Sequence, residues 1–387
     1  MTFRTIDFVP TEAWAQIATF EPADGEGVKE HHVMLHVRPG LGCFEAQLEE
    51  LQHAYIGLLC DVLDGARVVM RRYLVSDIAN QADRLRSRLA EDDADQGALS
   101  IIGQPPLDGT KVALWIYLTE GIDDMERTTD LTSTWHNGYR HLWSTNWQST
   151  TGGSNTQTRE ILEGYEAQLA GQGLNIKDHC LRTWFFIRDV DTNYKGMVEA
   201  RCNNFTMQHL TPDTHYIAST GIGGQPITTQ SRVQMDGYAA EGLDAGQIQY
   251  LYAPTHLNPT YQYGVTFERG TAIHYGDRRH VLISGTASID NHGQVLHQGQ
   301  VEAQAGRMLE NISTLLAEAG ASLSDVVQAI VYLRDVADYE LVNRLLCERL
   351  PQMPRVITLA PVCRPSWLIE MECMAVVRDE NPRFHNF

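Results

Sequence analysis

What this 387-residue sequence lacks narrows it first. Its seven cysteines (Cys43, Cys60, Cys180, Cys202, Cys347, Cys363 and Cys373) are odd in number and include no Cys-x-x-Cys pair. Neither a disulfide framework nor a zinc site is expected, and the thiols read as reduced. No stretch approaches the roughly 18 apolar residues of a membrane span. The first residues, Met-Thr-Phe-Arg-Thr-Ile-Asp, hold no basic segment followed by an apolar run, so a cytoplasmic location is expected. Basic residues are scarce: 30 against 49 acidic ones give a formal charge of −19. Such a surface repels phosphate, and neither nucleic acid nor a membrane is an expected partner, whereas a small anionic substrate is compatible with a few inward arginines. There is no Gly-x-Gly-x-x-Gly or Gly-Lys-Ser/Thr loop for a nucleotide. No metal and no cofactor are expected: His31, His32, His36, His292 and His297 read as surface or hydrogen-bonded histidines, because metal sites cluster more tightly.

What is present is a globular composition, 43% hydrophobic and 20% charged, long enough for two or three domains. It also repeats. In the last third, a helical pattern at 303–320 leads to a strand at 326–336, a helix at 339–349 and strands at 356–359 and 368–377. The middle third runs the same course: helix 161–171, strand 180–190, helix 194–205, strands 216–220 and 232–239. The shared Ile/Leu-Arg-Asp-Val at 187–190 and 333–336 sets the register. A weaker copy occupies 44–118. These patterns predict an α+β fold, with three units of mixed β-sheet and two helices packed on one face of each. The three would form a pseudo-trimeric single chain, monomeric or self-associating, with pockets at the unit boundaries. The units are expected at 28–122, 131–242 and 265–378, with an extension at 1–27, a connecting segment at 243–264 and a tail at 379–387. The aromatic-rich stretch 135–147 holds one arginine in thirteen residues and reads as an interdomain packing segment.

The strand at 368–377 carries the candidate chemistry. Alternation puts Leu368, Glu370, Glu372 and Met374 on one face. An ionisable group in such a strand reaches water or belongs to a site. The repeat acts as its own control. The middle copy offers Gln234-Met-Asp236 where the last has Glu370-Met-Glu372, and the first copy offers no carboxylate from 111 to 117. Only the last unit keeps an acid at the position of Glu370. Burial against Trp367 or Met371 would hold that acid neutral near pH 7, ready to protonate carbon or to relay a proton to water. Cys363 reads as a pocket wall or a nucleophile, against an inert core thiol. The glycine-rich 219–224 could offer backbone N–H groups to a carboxylate.

Residues 265–378 resemble the Rid superfamily, which is associated with imine and enamine deamination. The motifs are Leu282-Ile-Ser-Gly-Thr-Ala-Ser288, His297-Gln-Gly-Gln-Val-Glu-Ala-Gln304, the Val-Tyr-Leu-Arg-Asp-Val strand and the closing Leu-Ile-Glu-Met-Glu. In that superfamily an arginine following a proline holds a substrate carboxylate; Pro354-Arg355 comes within one residue of the expected spacing to Glu370. Over 178–378 the chain resembles the chorismatases, Rid-like enzymes that split chorismate into pyruvate and a cyclic product. The residues are Leu181-Arg-Thr-Trp184, Gly196-Met-Val-Glu-Ala-Arg201, Ser219-Thr-Gly-Ile-Gly223, Pro259-Thr-Tyr-Gln-Tyr-Gly264, Phe267-Glu-Arg-Gly-Thr271 and Cys363-Arg364 with Glu370.

The resemblance implies Glu370 as proton donor to the enolpyruvyl methylene. It also implies Gly270 and Cys363 as selectors of a hydroxybenzoate product, and Arg201 and Arg269 as carboxylate clamps. Thr220, Gly221, Tyr263 and Arg364 would complete the substrate site. Two arginines it leads one to expect are absent, with Met207 and Val265 in their places, which leaves open a smaller substrate, a singly charged one, or one other than chorismate. The implied activity is release of pyruvate from chorismate or a close analogue. The alternatives are hydrolysis of an imine or enamine on a small carboxylate-bearing substrate, or a catalytically silent ligand-binding protein.

Overall fold

Each of the three repeats closes into a six-stranded mixed sheet of identical strand order. The computed structural model describes residues 1–23, 25–91, 97–128 and 130–387, with the side chains of Ala245 and Tyr263 outside that description. The first unit holds β1 (Thr2–Asp7), β2 (Ala13–Phe20), β3 (Lys29–Val37), α1 (Phe44–Gly57), β4 (Arg67–Val75), α2 (Ile78–Glu91), β5 (Ala98–Gly103) and β6 (Val112–Glu120). The second holds β7 (Asp124–Arg127), β8 (Leu131–His136), β9 (Tyr139–Gln148), α3 (Ser154–Gly171), the single turn α4 (Ile176–His179), β10 (Cys180–Ile187), α5 (Val190–Met207), β11 (Ala218–Gly223) and β12 (Val233–Glu241). The third holds β13 (Ile248–Leu251), β14 (Gly270–His274), β15 (Arg278–Ala287), α6 (Val301–Glu318), β16 (Val326–Leu333), α7 (Tyr339–Arg349), β17 (Arg355–Leu359) and β18 (Ile369–Arg378).

The sheets run β1-β2-β3-β6-β4-β5, β7-β8-β9-β12-β10-β11 and β13-β14-β15-β18-β16-β17. In each, one parallel pair (β4–β5, β10–β11, β16–β17) is spanned by a helix, as parallel neighbours require. Segment 1–27, read from sequence as an extension, supplies β1 and β2, and the connecting segment 243–264 contains β13. Their backbone groups need partners, and pairing with β3 and β14 provides them.

The helices form for ordinary reasons. Met308, Leu309, Ile312, Leu315 and Leu316 of α6 recur at three- and four-residue steps and are buried. The helix ends at Gly320, whose φ of 69° allows Gly320 N–H to reach Ala317 O (3.0 Å) and Ala321 N–H to reach Leu316 O (2.8 Å). Gly173 (φ 80°) ends α3 with the same pair of bonds, to Ala170 O and Leu169 O. No helix among the described residues is long and apolar enough to cross a membrane.

The three sheets meet at a shared centre, locked by a buried ion pair at each boundary. Arg72 Nη2 donates to Asp236 Oδ2 (2.9 Å), Arg182 Nη2 to Glu372 Oε2 (3.0 Å), and Arg278 Nη1 to Glu30 Oε1 (2.5 Å). Each pair joins a different two of the three units. The Arg72 guanidinium also lies 5.1 and 4.8 Å from the rings of Trp115 and Trp184. Trp143, from the aromatic stretch 135–147, stacks on Tyr238 at 4.5 Å and meets Trp115 of the first unit edge-on at 6.4 Å, so that stretch packs one unit against another. His31, His32 and His36 are not surface histidines: β3 is covered on both faces and all three are buried. His31 is hydrogen-bonded to Thr19 and Glu120.

Candidate active site

Glu370 sits on β18, opposite Ala287 of β15 and Tyr332 of β16. Tyr332 is the penultimate residue of its strand. The penultimate residues of β10 and β4, Phe186 and Leu74, face Gln234 and Ala113. Glu370, Gln234 and Ala113 therefore share one position in the three units, and the last alone bears a carboxylate.

That carboxylate lines a cavity between the second and third units, together with Arg201, Gly221, Arg269, Cys363 and Arg364. The cavity is tight, about 40 Å³ within a cleft of about 530 Å³ that includes its mouth. Glu370 is 5% exposed. Burial, reinforced by the neighbouring Glu372 carboxylate, raises it to about 8 against the pull of Arg269 and Arg182. Met371, offered from sequence as its apolar neighbour, takes the opposite face of β18, while Trp367 lines the cavity. Glu372 looks away from the cavity, into the centre, where Arg182 Nη2 and Trp184 Nε1 (2.8 Å) donate to it.

The second unit frames the acid from the other side. Thr220 is absent from the cavity lining. Its hydroxyl accepts from Arg182 Nη2 (2.6 Å) and from Gly285 N–H (3.0 Å), fixing β11 against β15 beside Glu370. Arg201 projects from α5 and donates to Ser219 Oγ (3.3 Å). Arg269 is held by Asn258, whose backbone oxygen accepts from Nη2 at 3.0 Å and whose Oδ1 accepts at 3.2 Å. Arg364 lies 5.1 Å from the ring of Trp367. Burial and the nearby Glu370 push the Cys363 thiol up to about 12, which keeps it protonated and argues against a nucleophile.

Several expectations are corrected. Gly270 does not line the cavity; a Cβ there would meet Ile283, Leu251 and Leu282 O, all at 3.1 Å, inside the sheet. The glycine-rich 219–224 is strand β11 rather than an anion-binding turn. Three of its amides are committed: Ser219 N–H to Ser284 Oγ, Gly223 N–H to Pro361 O and Gly224 N–H to Ile187 O. Met207, where an arginine was sought, ends α5 in solvent at 65% exposure; Val265 does line the cavity, as an apolar wall. Arg355 is elsewhere, on β17, two strands from β18. The side chain of Tyr263 lies outside the described residues.

Sequence reasoning missed Gly285 and Tyr194. A Cβ at Gly285 would overlap Glu370 Oε1 and stand 3.1 Å from Thr220 Cγ2; the glycine inside the 282–288 strand motif was the available signal. Tyr194 lines the cavity from the second turn of α5 and touches the space beside Gly221.

Residues 270–377 match the family model described as Endoribonuclease L-PSP. The 3-aminoacrylate deaminase RutC of Acinetobacter baylyi is 35% identical over 99 residues, 25% of this chain and 79% of that protein. A RutC family protein of Pyrococcus abyssi is 35% identical over 97 residues, 24% of this chain and 76% of that protein. Among solved structures, a chorismatase superposes with a TM-score of 0.62 at 18% identity, covering 81% of this chain and 95% of that one. That likeness extends the shared fold beyond the C-terminal unit, to 81% of the single-chain pseudo-trimer. By the match of its C-terminal unit, the chain belongs to the Rid family, also known as YjgF or L-PSP.

Proposed function

We propose that the protein is a chorismatase-type enzyme, releasing pyruvate from chorismate or a close analogue to leave a hydroxybenzoate. The observation that carries this reading is the state of Glu370: a carboxyl raised to about 8, facing a cavity that also holds three arginines, Arg201, Arg269 and Arg364. A carboxylic acid that is mostly protonated at neutral pH is suited to protonating the methylene carbon of an enol ether. Protonation there makes the side chain an oxocarbenium; the C–O bond to the ring then breaks with its electron pair going to oxygen, the side chain departs as pyruvate, and loss of one ring proton gives the aromatic hydroxybenzoate. Arg201 and Arg269 are the carboxylate clamps in this scheme, Cys363 shapes the wall, and Gly221 and Arg364 border the substrate. A coupled pyruvate assay with chorismate tests it; pyruvate at background level, with Glu370→Gln as the reference, removes it.

A second reading is favoured by one finding. The unit that carries Glu370 is the one that aligns with a 3-aminoacrylate deaminase at 35% identity. Imine or enamine hydrolysis would use the same carboxyl to pass a proton between water and substrate. Ammonia release from 2-aminoacrylate, lost in Glu370→Gln, would move the assignment to that reaction.

A further inference from the structure

The threefold repeat also marks where the third unit is built out. Between β13 and β14 run eighteen residues (252–269), where the first unit joins its matching strands with five (8–12) and the second with three (128–130). Ten residues (208–217) lead from α5 into β11, against five (350–354) from α7 into β17. Among the described residues, only Val265, Phe267 and Arg269 of this extra chain line the cavity of Glu370. The two long loops enclose a second cavity, of about 340 Å³, and each described residue that lines it belongs to one loop or the other.

One carboxylate faces this space from an enclosed position. Glu268 is 6% exposed, and its Oε1 accepts from Tyr216 N–H at 2.7 Å. Its Oε2 meets no hydrogen-bond donor among the described residues. Arg269 borders both cavities, but its guanidinium donates to Asn258 O and Oδ1 and forms no ion pair with Glu268. Tyr216, Tyr252 and Tyr261 line the same cavity, the last two about half exposed at its mouth. Burial first, and then the Glu268 carboxylate, raises the Tyr252 hydroxyl above its usual range, as expected where ring and acid share one space. The walls are fixed in advance. Glu318 Oε2 accepts from Tyr252 N–H (3.0 Å) and Ala253 N–H (2.8 Å), and Thr260 Oγ1 donates to Phe267 O (2.6 Å). Pro212, Pro254 and Pro259 stiffen the lining.

An enclosed carboxylate with one open oxygen carries a desolvation cost that a cation relieves. Aromatic faces attract the same sign of charge, and the net charge of −19 draws cations toward the protein. We propose that this cavity binds a primary ammonium carried on a small aromatic or apolar body, as in an arylalkylamine. The ammonium donates to Glu268 Oε2 and lies against the rings of Tyr252 and Tyr261, and the body packs on Leu257 and the prolines. The site uses no atom of Glu370, so it does not depend on which reaction that acid performs.

Benzylamine, positively charged at neutral pH, is the probe, and benzyl alcohol is its uncharged counterpart of the same shape. Ligand-observed NMR titration of the full chain is expected to show benzylamine binding at least about tenfold more tightly than the alcohol, the scale of one charged hydrogen bond. Glu268→Gln keeps an oxygen for Tyr216 N–H and should abolish that preference. Tyr252→Leu, at the exposed mouth, should weaken benzylamine about threefold. Glu370→Gln should leave both affinities unchanged, which separates this cavity from the active site. The proposal is overturned by equal binding of amine and alcohol to the native chain, by a preference that persists in folded Glu268→Gln, or by one that disappears in Glu370→Gln. Should Glu268→Gln fail to fold, Tyr252→Leu decides: undiminished benzylamine affinity there overturns the proposal.

Discussion

Glu370 Oε1 lies so close above Gly285 that a methyl group on that glycine would overlap it. The acid of the third unit therefore has its position set by a residue with no side chain, on the neighbouring strand. Gly285→Ala is expected to displace the carboxyl and lower turnover at least tenfold, with a stability loss of about 1–3 kcal/mol typical of overpacking. Urea unfolding and the pyruvate assay measure the two effects, and full turnover in a folded variant would contradict this placement.

The raised pKa of Glu370 fixes the sign of the pH response. An acid at about 8 is protonated below that value, so a proton-donor role predicts a kcat/KM that is flat at neutral pH and falls tenfold per unit above pH 8. A base role predicts a rise toward pH 8 instead. The folded state holds this proton over a range where the unfolded chain has lost it, so stability should fall as pH climbs from about 4.5 to 8. Glu370→Gln should remove that component of the pH dependence.

Glu372→Gln separates the two neighbouring carboxylates. It removes a negative charge that raises Glu370, so the alkaline limb of the rate profile should move to lower pH. It also leaves Arg182 buried without its anion, at a cost of about 3–5 kcal/mol. A variant with an unshifted limb would mean that burial alone tunes Glu370.

Arg269→Met acts with the opposite sign. Arg269 lowers the pKa of Glu370, so its loss should shift the alkaline limb upward. If Arg269 also clamps a substrate carboxylate, KM should rise at least tenfold, in line with the roughly 1.5–3 kcal/mol of a charged hydrogen bond.

Cys363→Ser tests the thiol. With its proton retained to about 12, Cys363 is expected to be dispensable for turnover, and the serine variant should keep activity within a few-fold while altering the product ratio. Complete loss of turnover would restore the nucleophile reading.

Much of this site was legible in the sequence because a repeat carries its own comparison. The alignment of Glu370 with Gln234 needed only the shared Ile/Leu-Arg-Asp-Val, and the strand registers reproduce it. Arg355 shows where that reasoning stops. It precedes Glu370 by only fifteen residues, yet β17 is separated from β18 by β16, roughly 10 Å away at 4.8 Å per strand. Arg355 therefore serves the boundary with the first unit, and the second unit supplies Ser219 at the matching place beside Glu370.

The sequence by itself determined the three-unit α+β architecture, through helical and strand periodicities repeated in one order, and the uniqueness of one carboxylate among three copies. Only the tertiary structure decided which side chains share a cavity with it. Each cavity is assembled from two units, so its members lie far apart in the chain, and the partner of every strand edge is chosen by packing around the common centre. The same geometry set the protonation of Glu370, because burial and the adjacent Glu372 depend on which face of β18 turns toward which neighbour.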